Sequence, residues 1–304
     1  MQRINHIGEY LRYEFGFKVI KLSIDGGFTC PNRDGTKGTG GCIFCSEGGS
    51  GELAGTIEQQ LALLSEKWPS AGGYIAYFQS HTNTYAPADV LREKYENALA
   101  YPGIVGLAVA TRPDCLPEET LDLLEELSEK TYLWVELGLQ TSDDDTAMRI
   151  NRCYPLSDYD DAVRRLTERG IRVVTHLILG LPGETREIME TSVRHVTEPV
   201  GENPDGTGRH IFGMKLHLLN VVKNTALMRD YPGYTPFGTP EEYISLVCDM
   251  LEIIPADITM HRLTGDVPRR LLVAPEWSYK KRTILNGIEK EMRRRGSFQG
   301  CRLK

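Results

Sequence analysis

Residues 172–197 read RVVTHLILGLPGETREIMETSVRHVT: an apolar run of strand length, a Gly-Leu-Pro-Gly turn, then Met189, Val193 and Val196 at helical spacing. The run LILGL is apolar on both parities, as expected of a parallel strand whose two faces are both covered. The same unit recurs along the chain. Strands are expected near Val19–Ile24, Tyr74–Gln79, Val105–Ala110, Tyr132–Leu139, Arg172–Leu179 and Ile211–Leu219. Amphipathic helices are expected near Thr56–Lys67, Ala88–Tyr101, Glu118–Lys130, Asp158–Arg169 and Thr185–Thr197. Strict alternation predicts an α/β protein with a parallel sheet of about six β/α units. A doubly wound sheet and a partial barrel share this pattern. In either, ligands sit at the C-terminal ends of the strands. The polar signatures QSHTNTY, TRPD, GLQTSDD, GLPGE and LLNVVKNT all fall there, which points to an enzyme.

Beyond Thr225, the loop DYPGYTPFGTP leads to a helix near Glu241–Ile254, a strand-like ITMHRL and a basic helical stretch around Tyr279–Arg295. The expected organisation is a core over residues 1–235, with residues 236–304 forming a helical, basic C-terminal extension packed on it. At 304 residues, 40% hydrophobic and 25% charged, the chain has the composition of a soluble globular protein. No apolar run approaches the roughly 20 residues that span a bilayer, and the start MQRINHIGEYLRYEFGFKV lacks the apolar core of a signal peptide. A cytoplasmic protein without a membrane partner is expected. The net charge of −7 argues against indiscriminate coating of nucleic acid. From His261 onward, however, twelve basic residues face four acidic ones, a local +8 that hints at a polyanion-binding face.

Seven cysteines without a secretion signal argue against a disulfide framework. Cys115, Cys153, Cys248 and Cys301 are scattered, whereas Cys30, Cys42 and Cys45 share the segment DGGFTCPNRDGTKGTGGCIFCSEGGSGE with the spacing C-x11-C-x2-C. Three thiolates satisfy three irons of a cubane and leave the fourth iron open to chelate an external amino acid. Structural zinc is the alternative, but it wants four ligands and only His81 offers itself. Phe44, next to Cys45, either flanks the adenine of a bound nucleoside or packs beneath the loop.

The ordered signatures GGFTCPNRDGTKGTGGCIFC, YFQSHTNTYAP, TRPDCLP, YLWVELGLQTSDDDT, INR, THLILGLPGE, GMKLHLLNVVKNT, HRLTGDVPRRLLVAPEW and RRRGSFQG resemble those of radical S-adenosylmethionine (SAM) proteins. They are closest to the YhcC/YtqA family, itself related to the catalytic subunit of Elongator, and the resemblance covers nearly the whole chain. It implies a partial (β/α)6 TIM-type barrel with a C-terminal extension, a [4Fe-4S] cluster on Cys30, Cys42 and Cys45, and SAM bound across the strand ends.

The match also implies SAM contacts. Phe44 would lie beside adenine, Gln79 with Thr82 or Asn83 would meet the methionyl amine, and Gln140 would line the pocket. Arg152 would grip the methionyl carboxylate with its planar fork, and Ile178 and Gly180 would form the adenine-binding edge. His176 stands where related coproporphyrinogen-type enzymes carry an aspartate, so it either donates to the ribose or is a core histidine. Asn224 stands where relatives tend to have glycine. By strand parity, Lys215, His217, Glu136 and Thr111 with Arg112 project toward the barrel mouth. They are candidates for substrate contacts or proton transfer, with a structural ion pair as the other reading.

The implied reaction is reductive cleavage of SAM to methionine and a 5′-deoxyadenosyl radical, with an electron from a reductant such as flavodoxin or ferredoxin. Kinship with Elongator, the basic tail and Trp277 suggest tRNA as partner, with a carboxymethylaminomethyl-type group on the wobble uridine as the target. Lys280, Lys281, Arg282, Arg293, Arg294 and Arg295 would then meet phosphates. Other readings are a radical SAM enzyme for a small metabolite or porphyrin-like molecule, an iron-sulfur redox or iron sensor, and a zinc-stabilised RNA-binding module.

Overall fold

The computed structural model describes residues 3–49 and 51–303; Ser50 of the cysteine loop and Lys304 of the basic tail lie outside them. Helix α1 (Ile7–Phe15) precedes β1 (Lys18–Ile24), α2 (Ile57–Lys67), β2 (Ala71–Phe78), α3 (Ala88–Leu99), β3 (Ile104–Thr111), α4 (Glu118–Lys130) and β4 (Tyr132–Gln140). Then come α5 (Asp144–Arg149), α6 (Leu156–Glu168), β5 (Arg172–Leu179), α7 (Arg186–Val196) and the small hairpin β6 (Gly201–Glu202) and β7 (Gly208–Arg209). The chain continues through β8 (Gly213–Leu218), β9 (Val221–Val222), α8 (Ala226–Asp230), α9 (Pro240–Leu251), β10 (Thr259–Arg262), β11 (Leu272–Ala274) and α10 (Lys281–Arg295).

Seven strands form one sheet in the order β1-β2-β3-β4-β5-β8-β10, and every pair is parallel. A doubly wound sheet reverses its strand order at a switch point. This one never does, so the β/α units curl into a partial barrel. The seventh strand, β10, comes from ITMHRL and pairs with β8, so residues beyond 235 complete the barrel wall.

The alternation of side chains along each strand builds two cores. On β4, Leu133, Val135 and Leu137 face outward against helices that contribute Leu121, Leu124 and Leu127 of α4 and Val193 of α7. Trp134 faces inward with Val19, Ile75, Ala108 and Val174. Helix α1 joins this inner core through Leu11, with Ile7, Tyr10 and Phe15 packed against it. The start of the chain, polar and aromatic in sequence, is thus a helix that plugs one end of the barrel.

Helix starts follow local chemistry. Thr56 with Gln59 and Thr239 with Glu242 form reciprocal capping boxes at α2 and α9. Gly16 and Gly296 end α1 and α10 with φ of 76° and 67°, the left-handed conformation that stops a helix. Helix α10 buries Ile284, Ile288 and Met292 in the main core beside α9. Each such side chain is worth about 1.5–3 kcal/mol, so this basic helix is an integral part of the domain. The RRRGSFQG segment ends in a clasp. Gln299 Oε1 accepts from the Asn5 amide at 2.9 Å, and Gln299 Nε2 donates to Pro255 O and Ile258 O, each at 2.7 Å.

Candidate active site

The long loop after β1 carries the three clustered cysteines and is held from several sides. Cys42 O accepts from Cys45 N at 2.9 Å, and Cys30 O accepts from Arg33 N at 2.8 Å. Asn32 Nδ2 donates to Asn151 O at 2.5 Å and approaches Cys42 Sγ at 3.7 Å, tying the loop to the turn after α5. Gly38 must lack a side chain, because a Cβ there would lie 2.2 Å from Asn32 Oδ1 and 2.9 Å from Cys153 Sγ.

Cys30, Cys42 and Cys45 all line one cavity of about 240 Å³ at the C-terminal ends of the strands. None of the seven cysteines is in a disulfide. Burial pushes the Cys42 thiol up to about 12, and the neighbouring thiols Cys45 and Cys30 push in the same direction. To act as thiolates in such a site, the three would need a cationic partner. Among the described residues no three His, Cys, Asp or Glu side chains close around a single point as one metal ion needs. A structural zinc site needs four donors converging at about 2.0–2.3 Å from one ion. A cubane presents a separate iron to each thiolate, and three cysteines around a shared cavity fit it.

Below the loop, the barrel interior carries a polar layer above the apolar one. Glu136 of β4 is fully buried. Its Oε1 accepts from Trp134 Nε1 at 2.9 Å, and its Oε2 lies 2.8 Å from His176 Nε2 and forms an ion pair with Lys215 of β8. Lys215 Nζ also donates to the Tyr77 hydroxyl of β2 at 2.9 Å, and Lys21 of β1 approaches Glu136 at 3.9 Å. Burial alone would raise the Glu136 carboxyl, yet Lys215, Lys21 and His176 hold it well below the usual carboxylate range. Burial drives Lys215 well below the ordinary lysine value against the pull of Glu136, and pushes His176 down to about 4. His217 lies 5.1 Å from His176, centroid to centroid, with the two rings tilted by 44° and its Nε2 unpartnered.

Most residues expected at the site meet at this cavity: Phe44, Gln79, Thr82, Thr111, Arg112, Glu136, Gln140, Arg152, His176, Ile178, Lys215 and His217 line it with the three cysteines. Phe44 and Ile178 pack on one small apolar cluster with Leu219 and Val221. Gln140 ends β4 with a φ of 67°.

Three expected contacts look different in three dimensions. Asn83 turns back onto β3, with Nδ2 donating to Ala110 O at 2.8 Å, and is not among the cavity-lining residues. Gly180 also lies off the cavity. A Cβ there would strike Pro236 at 2.5 Å and Phe237 at 2.8 Å, so this glycine serves close packing of the following loop. Arg152 is buried, and four of its five N–H groups are committed: Nε to Tyr154 O at 3.0 Å, Nη1 to Leu139 O at 2.9 Å and Thr141 O at 2.6 Å, and Nη2 to Asp144 at 3.0 Å. A fork so engaged braces the chain at the cavity wall. Asn224 has a φ of 61°, so it takes the left-handed conformation that glycine would supply, which asparagine tolerates.

The basic helix is less open than its sequence suggests. Arg295 is held by Asp249, Glu252 and Glu291, Arg294 by Glu291, and Lys281 by Asp266. Lys280, Arg282 and Arg293 are exposed and have no ion pair among the described residues. Trp277 packs inward, 6.1 Å from the Tyr243 ring, and is partly buried against the main core.

Lys21, Tyr77, His261 and Arg262 were not singled out from sequence. Lys21 shares the inward parity of Val19, and Tyr77 that of Ile75. Extending the parity argument to β1 and β2 reveals both. His261 and Arg262 became legible only when β10 closed the sheet.

Residues 33–196 match the model of the radical SAM superfamily, and residues 211–294 match that of the radical SAM C-terminal domain. The chain belongs to the radical SAM superfamily. Over 98% of its length it is 46% identical to the uncharacterized protein YtqA of Bacillus subtilis, 92% of which is covered. Similarity extends, at 29% identity over 64% of this chain, to a tRNA uridine(34) acetyltransferase of Dehalococcoides mccartyi, of which it spans 41%. Among solved structures, the archaeal Elp3 of Methanocaldococcus infernus with an N-terminal deletion superposes with a TM-score of 0.67. It covers 92% of this chain and 64% of that one at 18% identity, a likeness of fold alone. The radical SAM fold thus accounts for the sequential half-barrel. No helix among the described residues is long and apolar enough to cross a membrane.

Proposed function

We propose that this radical SAM protein is an enzyme that remodels a carboxymethylaminomethyl-type group on C5 of a tRNA wobble uridine. The observation behind it is the convergence of three cysteine thiols on the same cavity as a buried Lys, His and Glu layer. When bound on Cys30, Cys42 and Cys45, the cluster supplies the single electron that cleaves SAM, delivered by a reductant of the flavodoxin or ferredoxin class. Phe44 and Ile178 offer apolar surface for adenine, while Gln79 and Thr82 line the wall for the methionyl end.

The tRNA reading draws on the relative named as a tRNA uridine(34) acetyltransferase and on the exposed cations Lys280, Arg282 and Arg293. Nearby, Arg269 lies 4.5 Å over the ring of exposed Tyr279, a face suited to phosphate and base. Nucleoside profiling of tRNA from cells lacking the protein tests the proposal. Accumulation of the carboxymethylaminomethyl nucleoside at the expense of a downstream form is expected, and an unchanged profile overturns it.

A further inference from the structure

We propose that the cavity floor is a carboxylate-binding subsite, built from Lys215, His217 and Arg262, that selects the substrate by the acid group on its side chain. Lys215 of β8 and Arg262 of β10 line this floor, and Lys21 of β1 approaches Glu136 beside it at 3.9 Å. Glu136 is the carboxylate buried among them. Asp266 at the rim stands 4.0 Å from Arg262 and is itself taken by Lys281 at 2.5 Å. Lys215 is matched by Glu136, whereas Arg262 has only Asp266, at 4.0 Å and already held by Lys281, so its guanidinium is the group free to take an incoming anion. A second observation agrees: the buried His217 Nε2 meets no partner, and its ring lines the cavity beside Lys215 and Arg262. A buried polar atom left unmet calls for a ligand group or water.

The thiols and the floor share one cavity. A group reaching the floor must therefore extend past the SAM site, which suits an acid at the far end of a flexible side chain. A backbone phosphate of tRNA is anchored outside the barrel and cannot enter so deeply. The choice of substrate rests on the tRNA reading above, whereas the capacity to bind a carboxylate does not.

The test uses anaerobically reconstituted holoenzyme with SAM and two tRNAs, carrying either carboxymethylaminomethyluridine or aminomethyluridine at the wobble position. Arg262→Met and His217→Phe are chosen because neither residue bonds to Glu136. Wild type is expected to bind the acid-bearing tRNA about tenfold more tightly, as one charge-assisted pair supports. Each variant should bring that ratio close to one while SAM affinity holds. A ratio that persists in both variants overturns the subsite, as does a loss confined to SAM affinity, which would mean that the floor reads the methionyl carboxylate. If wild type binds neither tRNA, the tRNA reading fails and acetate becomes the probe, compared with chloride at equal ionic strength. Acetate that raises the Tm of wild-type holoenzyme but not of the variants upholds the subsite, and acetate without effect overturns it.

Discussion

The imidazole of His176 on β5 and the carboxylate of Glu136 on β4 meet at 2.8 Å inside the barrel. Lys215 shares the same carboxylate oxygen, and Trp134 donates to the other at 2.9 Å. One buried acid is thus satisfied by side chains from three strands, which couples their alignment to the cavity floor.

Replacing Lys215 by Met leaves Glu136 short of its principal partner. A loss of about 3–5 kcal/mol is expected, as for a buried ion pair with one member removed. The double variant Lys215→Met/Glu136→Leu should recover most of it, because two apolar side chains need no pairing. Urea unfolding measures both, and a double variant no more stable than the single one would contradict this account.

Acid should weaken the fold through His176. Its folded value of about 4 lies below the ordinary 6.5, so the unfolded chain binds the proton first. The associated stability is full above pH 6.5 and is lost as pH falls toward 4, amounting to at most about 3 kcal/mol. His176→Asn keeps a donor for Glu136 but cannot titrate. Its Tm should fall less steeply than wild type between pH 6.5 and 4, and superimposable profiles would refute the assignment.

Alanine at Cys30, Cys42 or Cys45 should reduce iron and sulfide to a small fraction of wild type after anaerobic reconstitution. Alanine at Cys115, Cys153 or Cys248 should leave the content near normal. Cluster loss on replacing any of this second group would show that the ligand set is wrong.

Arg152→Lys tests the brace between β4 and the turn after α5. A single ammonium cannot reproduce the fork that reaches Leu139 O, Thr141 O and Tyr154 O. With buried carbonyls left unmet, a cost of about 2–4 kcal/mol is expected. Arg293→Lys, on the exposed face, should stay within about 0.5 kcal/mol. Equal Tm values for the two variants would exclude the bracing role.

Exchanging Lys280, Arg282 and Arg293 together for Glu should raise the tRNA Kd at least about tenfold and flatten its salt dependence. Charge reversal is the sharper probe than truncation, since removing α10 would uncover Ile284, Ile288 and Met292.

The β/α alternation and the cysteine spacing were legible because they depend on neighbours close along the chain: strand parity, helical period and a glycine-rich loop. Helix bounds such as Glu118–Lys130 and strand bounds such as Arg172–Leu179 coincide with expectation for that reason. Helix α1 went unread because its apolar side, Ile7, Tyr10, Leu11 and Phe15, is interleaved with charge and gains meaning only against the barrel end.

Which residues do chemistry and which brace the wall was decided by packing between distant segments. Arg152, isolated as INR in the chain, is claimed by carbonyls of β4 and of the turns around it. Trp277, set among basic residues, is drawn inward by Tyr243. Lys21, Tyr77, Glu136, His176 and Lys215 are spread over nearly two hundred positions. Strand periodicity predisposes each to face inward, but only the curled sheet brings them to one depth, where low polarisability and scarce water couple their charges.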